Sequence, residues 1–502
     1  MKCYITIFAC LFLLSSCLTK QNSVHDKQYV PEYHFSVGSN WTGEPSGMLY
    51  YDGEYHLFYQ YNPSDVIFGN IHWGHAISKD LIKWKILPTA ISPDKNGYLN
   101  SGSVVVDIHN TSGFGHGGKV PFIAFYTYAN SKSLQALSIS YSLDKGLSWV
   151  KSDTISFPQE RGLSIRNPHV FWNKENAQWV MLLSVGPSVR FYKSSDCKHW
   201  TYLSDFYESM DSGINWEMTD FFPLKVENSD VVKWILLVSM EVGPVDGAPA
   251  IKYYIGDFDG VSFHPTQYKD LWLDYGKDDY SGMTFNTDSV NDRIFVGWMN
   301  CWEYANLLPT YHWRGSMTFP RSLSLNKEGN HYIVSSKFVS GLEKHSSSSI
   351  SIPSMKLSDK HIYRGNISFS NNSFLIKLEF DNRERTAIWH SRNYGINLIT
   401  KSGKKLSIGY DGDLNYYYID RRKMLDKSFS DRFDQLMGAT YRFDKSESEW
   451  YIFCDKSSVE FLACDGRAVV TSLCYPDDSF DSFEMFAHSG NVSLLGGSIL
   501  KL

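Results

Sequence analysis

Met48-Leu-Tyr-Tyr-Asp52, the turn Gly53-Glu54, and then Tyr55-His-Leu-Phe-Tyr-Gln-Tyr61 make the pattern that decides the fold. A short apolar strand leads through a tight turn into a second apolar strand. The same unit recurs as SVVVD from Ser103 with PFIAFYTY from Pro121, and as HVFW from His169 with WVMLLSV from Trp179. It recurs again as DFFPLKV from Asp220 with WILLVSM from Trp234, and as MTF from Met283 with RIFVGWM from Arg293. In four of the units a third strand leads to an Asp and an aromatic: Asp80 with Trp84, Asp144 with Trp149, Asp196 with Trp200, Asp259 with Phe263. The spacing of about 50 to 65 residues is what a four-stranded blade needs. Helix signals are almost absent, and Gly, Asn, Asp and Pro punctuate the short strands. The pattern predicts an all-β chain whose residues 30–325 form a five-bladed β-propeller. Past Pro320–Leu325 the period stops. Residues 326–349 read as a linker that runs into a Ser-rich stretch, and alternating strands from 350 to 502 predict a C-terminal β-sandwich.

A chain of 502 residues is too long for one core, which agrees with this division. A net charge of −6 with no basic stripe argues against nucleic acid as a partner. Aromatics make up 16% of the residues, which mainly reflects strand content, so each tryptophan proposed for sugar binding must be argued separately. The five cysteines after Cys17 contain no C-x-x-C pair and read as buried thiols.

The first residues read as a processing signal. Tyr4–Leu14 is an apolar run too short to span a membrane as a mature helix, and it ends in Leu14-Ser-Ser-Cys17. Small residues before a Cys resemble a lipobox, so residues 1–17 are expected to be a lipoprotein signal with Cys17 lipidated. Residues 18–29 would be a tether. This predicts an exported protein held to a bacterial membrane by a lipid anchor only.

In a propeller the first strand of each blade lines the axis, and all of these strands run the same way. The polar residues just before them should therefore gather on one face. They are Glu44, Asn100 to Ser103, Arg166 with Asn167, Glu217, and Asp279 with Tyr280. Two glutamates at one rim are a candidate acid/base pair.

The motifs, taken in order, resemble glycoside hydrolase family 32, the invertases, inulinases and levanases, over nearly the whole chain. Trp41-Thr-Gly-Glu44-Pro-Ser-Gly47 stands where that family opens with W-M-N-D-P-N-G. Phe58-Tyr-Gln60-Tyr-Asn-Pro63, Trp73-Gly-His-Ala76, Ser101-Gly-Ser103 and Arg166-Asn167-Pro168 follow. Trp216-Glu217-Met-Thr-Asp220, Asp274-Tyr-Gly-Lys-Asp278-Asp-Tyr280, Gly297-Trp-Met-Asn-Cys-Trp302 and Asp455-Lys-Ser-Ser-Val-Glu460 complete the series. The resemblance implies retaining hydrolysis of β-fructosides such as levan, inulin or sucrose, with carboxylates about 5–5.5 Å apart. It implies Glu217 as acid/base, Glu44 at the nucleophile position and Asn167 at the stabiliser position. It also implies Gln60, Trp73, Ser101, Arg166, Asp220, Tyr280 and Trp302 as the sugar pocket. No phosphate loop, dinucleotide fingerprint or metal cluster is present, so no cofactor is implied.

Two of the three catalytic positions depart from that family. Glu44 replaces an Asp and is one methylene longer, and a misplacement of that order costs about 100-fold. Asn167 replaces an Asp and brings no charge to a cationic transition state, where one electrostatic group is worth about 2.7–4 kcal/mol. Gly43 and Ser46 stand where the family has asparagines, and their small size is expected to leave room for the longer Glu44. Two functions follow: a glycosidase with altered activity, or a non-hydrolytic fructan-binding lipoprotein that uses the old site as a pocket.

Overall fold

The computed structural model describes residues 27–129, 137–152, 165–209, 213–267, 270–287, 290–291, 293–367, 371–381, 383, 389–442 and 445–502. Cys17 and the signal and tether up to residue 26 lie outside them. Tyr29, at the end of the expected tether, is buried edge-on against Tyr475.

Residues 40–338 build five successive antiparallel sheets. Their first strands are Asn40–Tyr51, Tyr98–Val106, Ile165–Asn173, Trp216–Lys225 and Tyr280–Thr284. Each of these strands packs against the first strand of the next sheet, and the last packs against the first, so the ring closes. Two backbone links seal it. Asn286 pairs with Leu49, and Trp313–Arg314 lies parallel to Asn40–Trp41 in the first sheet.

The Asp–aromatic pairs occupy the turns between the third and fourth strands. Asp80, Asp144, Asp196 and Asp259 cap the backbone of their own turns. The residue after each Asp is left-handed: Leu81, Lys145, Cys197 and Gly260. Three of the aromatics, Trp84, Trp149 and Trp200, donate from Nε1 to the carbonyl three residues back, which pins the turn to the blade.

Strands fill much of the stretch expected to be linker. Arg321–Glu328 and His331–Phe338 are the outer strands of the fifth sheet. The excursion 300–319 separates them from Arg293–Met299 and hides the period. A turn at Leu342–His345 then leads to Ser348–Ile352. Two further sheets follow, which share one apolar core that includes Phe374, Ile396, Tyr410, Trp450 and Phe461. The five described cysteines are buried thiols.

Buried ion pairs join this sandwich to the ring. Arg321 holds Asp274 at 2.7 Å and also pairs with Asp279, while Asp274 accepts from Thr471 N and Oγ1 at 2.9 and 2.7 Å. Arg421 and the Tyr304 hydroxyl each bond Asp278 at 2.5 Å. The segment 274–279 is thus held from the sandwich side, immediately before Tyr280. On the other flank His34 lies between Asp455, at 2.8 Å, and Glu460, at 2.7 Å.

Candidate active site

Each first strand carries a bulge near its start, at Thr42–Gly47, Leu99–Gly102, Arg166–His169, Glu217–Asp220 and Tyr280–Met283. Asn167, Met218 and Ser281 sit in three of these bulges with φ of 49°, 44° and 52°. A bulge re-aims the side chains on either side of it. Residues at or just before these bulges, Glu44, Asn100, Arg166, Asn167, Glu217 and Tyr280, face a cleft of about 530 Å³, which is also lined by Gln60, Phe68, Tyr98, Glu241, Pro249 and Trp302.

Glu44 is 6% exposed at the closed end. Its Oε2 accepts from Gln60 Nε2 at 3.1 Å and from Ser101 Oγ at 3.3 Å, and Ser281 and Trp302 lie beside the carboxylate. Burial and the nearby charge of Glu217 outweigh these donors and push Glu44 up to about 7. Glu217 is held on both oxygens. Arg166 Nη1 pairs with Oε1, and the Tyr280 hydroxyl donates to Oε2 at 3.3 Å. Burial, with Glu217 next, keeps the Tyr280 phenol far above its ordinary range, so it stays a donor. Trp302 is packed against Trp41 and Trp298, which fixes its ring beside Glu44.

The remaining predicted residues lie elsewhere. Ser101 is fully buried behind Glu44, where it accepts from Gln60 at 2.7 Å and contacts Ser46 Oγ at 3.1 Å. Trp73 is also fully buried. It packs between the first two sheets and donates to Asn100 O at 3.0 Å, so it supports the wall of the cleft without lining it. Asp220 does not face the cleft. It lies past the bulge, lines a second cavity with His169 and Arg293, and accepts from Thr284 N at 2.6 Å. Asp279, expected beside Tyr280 at the rim, is turned inward onto Arg321. Of Asn100 to Ser103, Asn100 lines the cleft, while Ser103 accepts from Val170 N in the next sheet.

The space at Gly43 is not left for Glu44. A Cβ there would lie 2.9 Å from Gln60 Cβ and 3.0 Å from Gln60 Oε1, so Gly43 admits Gln60, and Gln60 in turn holds Glu44. Phe68, Tyr98, Ser281 and Glu241 escaped the sequence reading. Only Glu241 left a trace there, as an acid placed directly after the apolar strand Val232–Met240.

Two carboxylates gripped by separate donors and facing one cleft define a glycosidase type of site. Profiles of the glycosyl hydrolases family 32 N-terminal domain and of the family 32 C terminal match residues 34–336 and 340–499. The chain belongs to glycosyl hydrolases family 32. It is 36% identical over 484 residues to a levanase of Bacillus subtilis, covering 94% of this chain and 70% of that one. It is 31% identical to an extracellular exo-inulinase of Aspergillus awamori, covering 95% of each. The crystal structure of exo-inulinase from Aspergillus awamori superposes with a TM-score of 0.86 at 29% identity, over 95% of this chain and 99% of that one.

Proposed function

We propose that the protein hydrolyses β-fructosides of the levan and inulin type by a retaining mechanism, in a cleft at one end of a five-bladed propeller. The five sheets with their first strands in a closed ring support the blade count. The levanase and exo-inulinase relatives support the substrate class.

One observation carries the catalytic reading: Glu44 and Glu217 are each held by two donor side chains in the same cleft. Glu217 gives its proton to the glycosidic oxygen as the bond to the anomeric carbon breaks. Glu44 attacks that carbon and forms a fructosyl-enzyme ester. Glu217, now a base, takes a proton from water, and the water oxygen displaces Glu44. Asn167 meets the fructosyl hydroxyls with its amide and adds no charge. Trp302, Phe68 and Tyr98 supply the apolar faces.

We further read Cys17 as the lipidated residue of an exported protein, on the strength of the Leu14-Ser-Ser-Cys17 motif alone. The test of the catalytic reading is to incubate the protein with levan, inulin and sucrose and to measure both binding and released sugar. Release that disappears in Glu217→Gln, with binding kept, is the expected result. Binding without release in the wild type would instead make the cleft a fructan-binding pocket.

A further inference from the structure

We propose that the far end of the propeller axis holds a second sugar site, which binds a neutral oligosaccharide and does not cleave it. That fructans are the first ligands to try there rests on the function given above. The cavity shared by His169, Asp220 and Arg293 has a volume of about 630 Å³, within the range of about 300–1,000 Å³ usual for small-molecule sites. The exit ends of all five first strands line it, through Tyr51, Val106, Trp172, Pro223 and Thr284. The entry ends of the same strands line the catalytic cleft, and none of the described residues lines both. Glu217 faces the cleft and Asp220, a few residues on, faces this cavity, so the two lie back to back on one axis.

The wall chooses the ligand. Lys174 and Arg293 balance Glu175 and Asp220, and burial lowers the pKa of His169 and keeps its ring neutral, so the lining carries no net charge. A phosphate, a carboxylate or a cation therefore gains little there over a neutral molecule. Two amides offer hydrogen bonds instead. Asn173 Oδ1 accepts from Glu175 N at 3.1 Å, and Asn286 Nδ2 donates to Val170 O at 3.4 Å. These backbone partners fix the orientation of each amide. Asn173 Nδ2 and Asn286 Oδ1 are left without a partner among the described residues. One is a donor and the other an acceptor, and a sugar hydroxyl answers either. The half-buried rings of Trp172 and Trp234 are both held in place, Trp172 edge-on to Trp179 at 5.1 Å and Trp234 stacked on Phe221 at 4.7 Å. A fixed indole face beside a free donor and acceptor suits a molecule whose ring faces are apolar and whose edges carry hydroxyls.

The test is calorimetric titration of the Glu217→Gln protein with inulin- and levan-type oligosaccharides, and with maltotetraose as a neutral sugar that is not a fructan. The expected result is two fructan-binding events per chain. Trp172→Ala should abolish one of them. Asn173→Asp keeps the oxygen that caps Glu175 N and loses the donor, and should weaken the same event by about 2- to 10-fold. Placed in the wild type, both substitutions should leave kcat/KM on sucrose unchanged, since neither residue lines the cleft. If no binding event with any of these sugars responds to the two substitutions, the inference falls. Maltotetraose responding where fructans do not would keep the site and count against fructan as its ligand. A wild type that releases no sugar yet shows the responding event would count against the hydrolytic reading alone and leave the second site standing.

Discussion

Gln60 donates to Glu44 at 3.1 Å from a place that only a glycine at position 43 leaves open. Both faces of Gln60 are in contact, with Glu44 and Ser101 on one side and the Gly43 backbone on the other. Gly43→Ala is therefore expected to displace Gln60 and loosen Glu44. Turnover on levan should fall by about 10- to 100-fold while the folded state persists. Initial rates alongside thermal unfolding separate the two effects. Unchanged turnover would mean that Gln60 does not position Glu44.

Glu44 can attack only when ionised. Burial raises its pKa, and the Glu217 charge raises it further to about 7; the burial part remains when Glu217 carries its catalytic proton, so the acid limb of the kcat/KM profile should lie above the ordinary carboxylate range. Ser101→Ala removes a donor to the charged form and should move that limb to higher pH. A pH–rate profile on one fructan checks both statements.

The same shift costs stability. Glu44 holds its proton more tightly folded than unfolded, so its contribution is intact below pH 4.5 and is lost as pH rises through about 7. Glu44→Gln has no charge to bury. It should stabilise the protein by up to about 3 kcal/mol at pH 8.5 and by little at pH 4.5. Urea unfolding at the two pH values tests this.

His34 behaves in the same sense for a different reason. Burial alone would lower its pKa, but its bonds to Asp455 and Glu460 prevail and raise it to about 9. Asp455, although buried, is drawn down to about 2 by His34 and by backbone N–H groups. The His34 contribution is complete below pH 6.5 and is lost as pH rises through about 9. His34→Ala should cost about 3–5 kcal/mol at pH 6 and less at pH 9.5. Unfolding midpoints at both pH values measure it.

Asn167, at φ 49°, occupies a conformation that Asp also tolerates, so Asn167→Asp should fold. The new charge beside Glu44 should raise the acid limb further. Combined with Glu44→Asp, it should increase turnover on fructans. A double variant with the profile and rate of the wild type would show that position 167 does not face the reacting sugar.

The sequence by itself determined the all-β class, the five repeated units and the sandwich after them, because strand alternation and turn residues are local signals. It also determined most of the cleft. Glu44, Gln60, Arg166, Asn167, Glu217, Tyr280 and Trp302 each sit at or beside a motif, and all of them line it. Only the tertiary structure decided which way neighbouring residues point. Glu217 and Asp220 belong to one motif, as do Asp279 and Tyr280, yet in each case one faces the cleft and the other does not. The reason is that residues one or three apart on a strand point to opposite faces, and which face meets the cleft is set only when the five first strands close into a ring. What Gly43 and Glu241 touch was hidden for a related reason: each contacts a residue distant in sequence, Gln60 and Asn215, and such contacts exist only once the chain is folded.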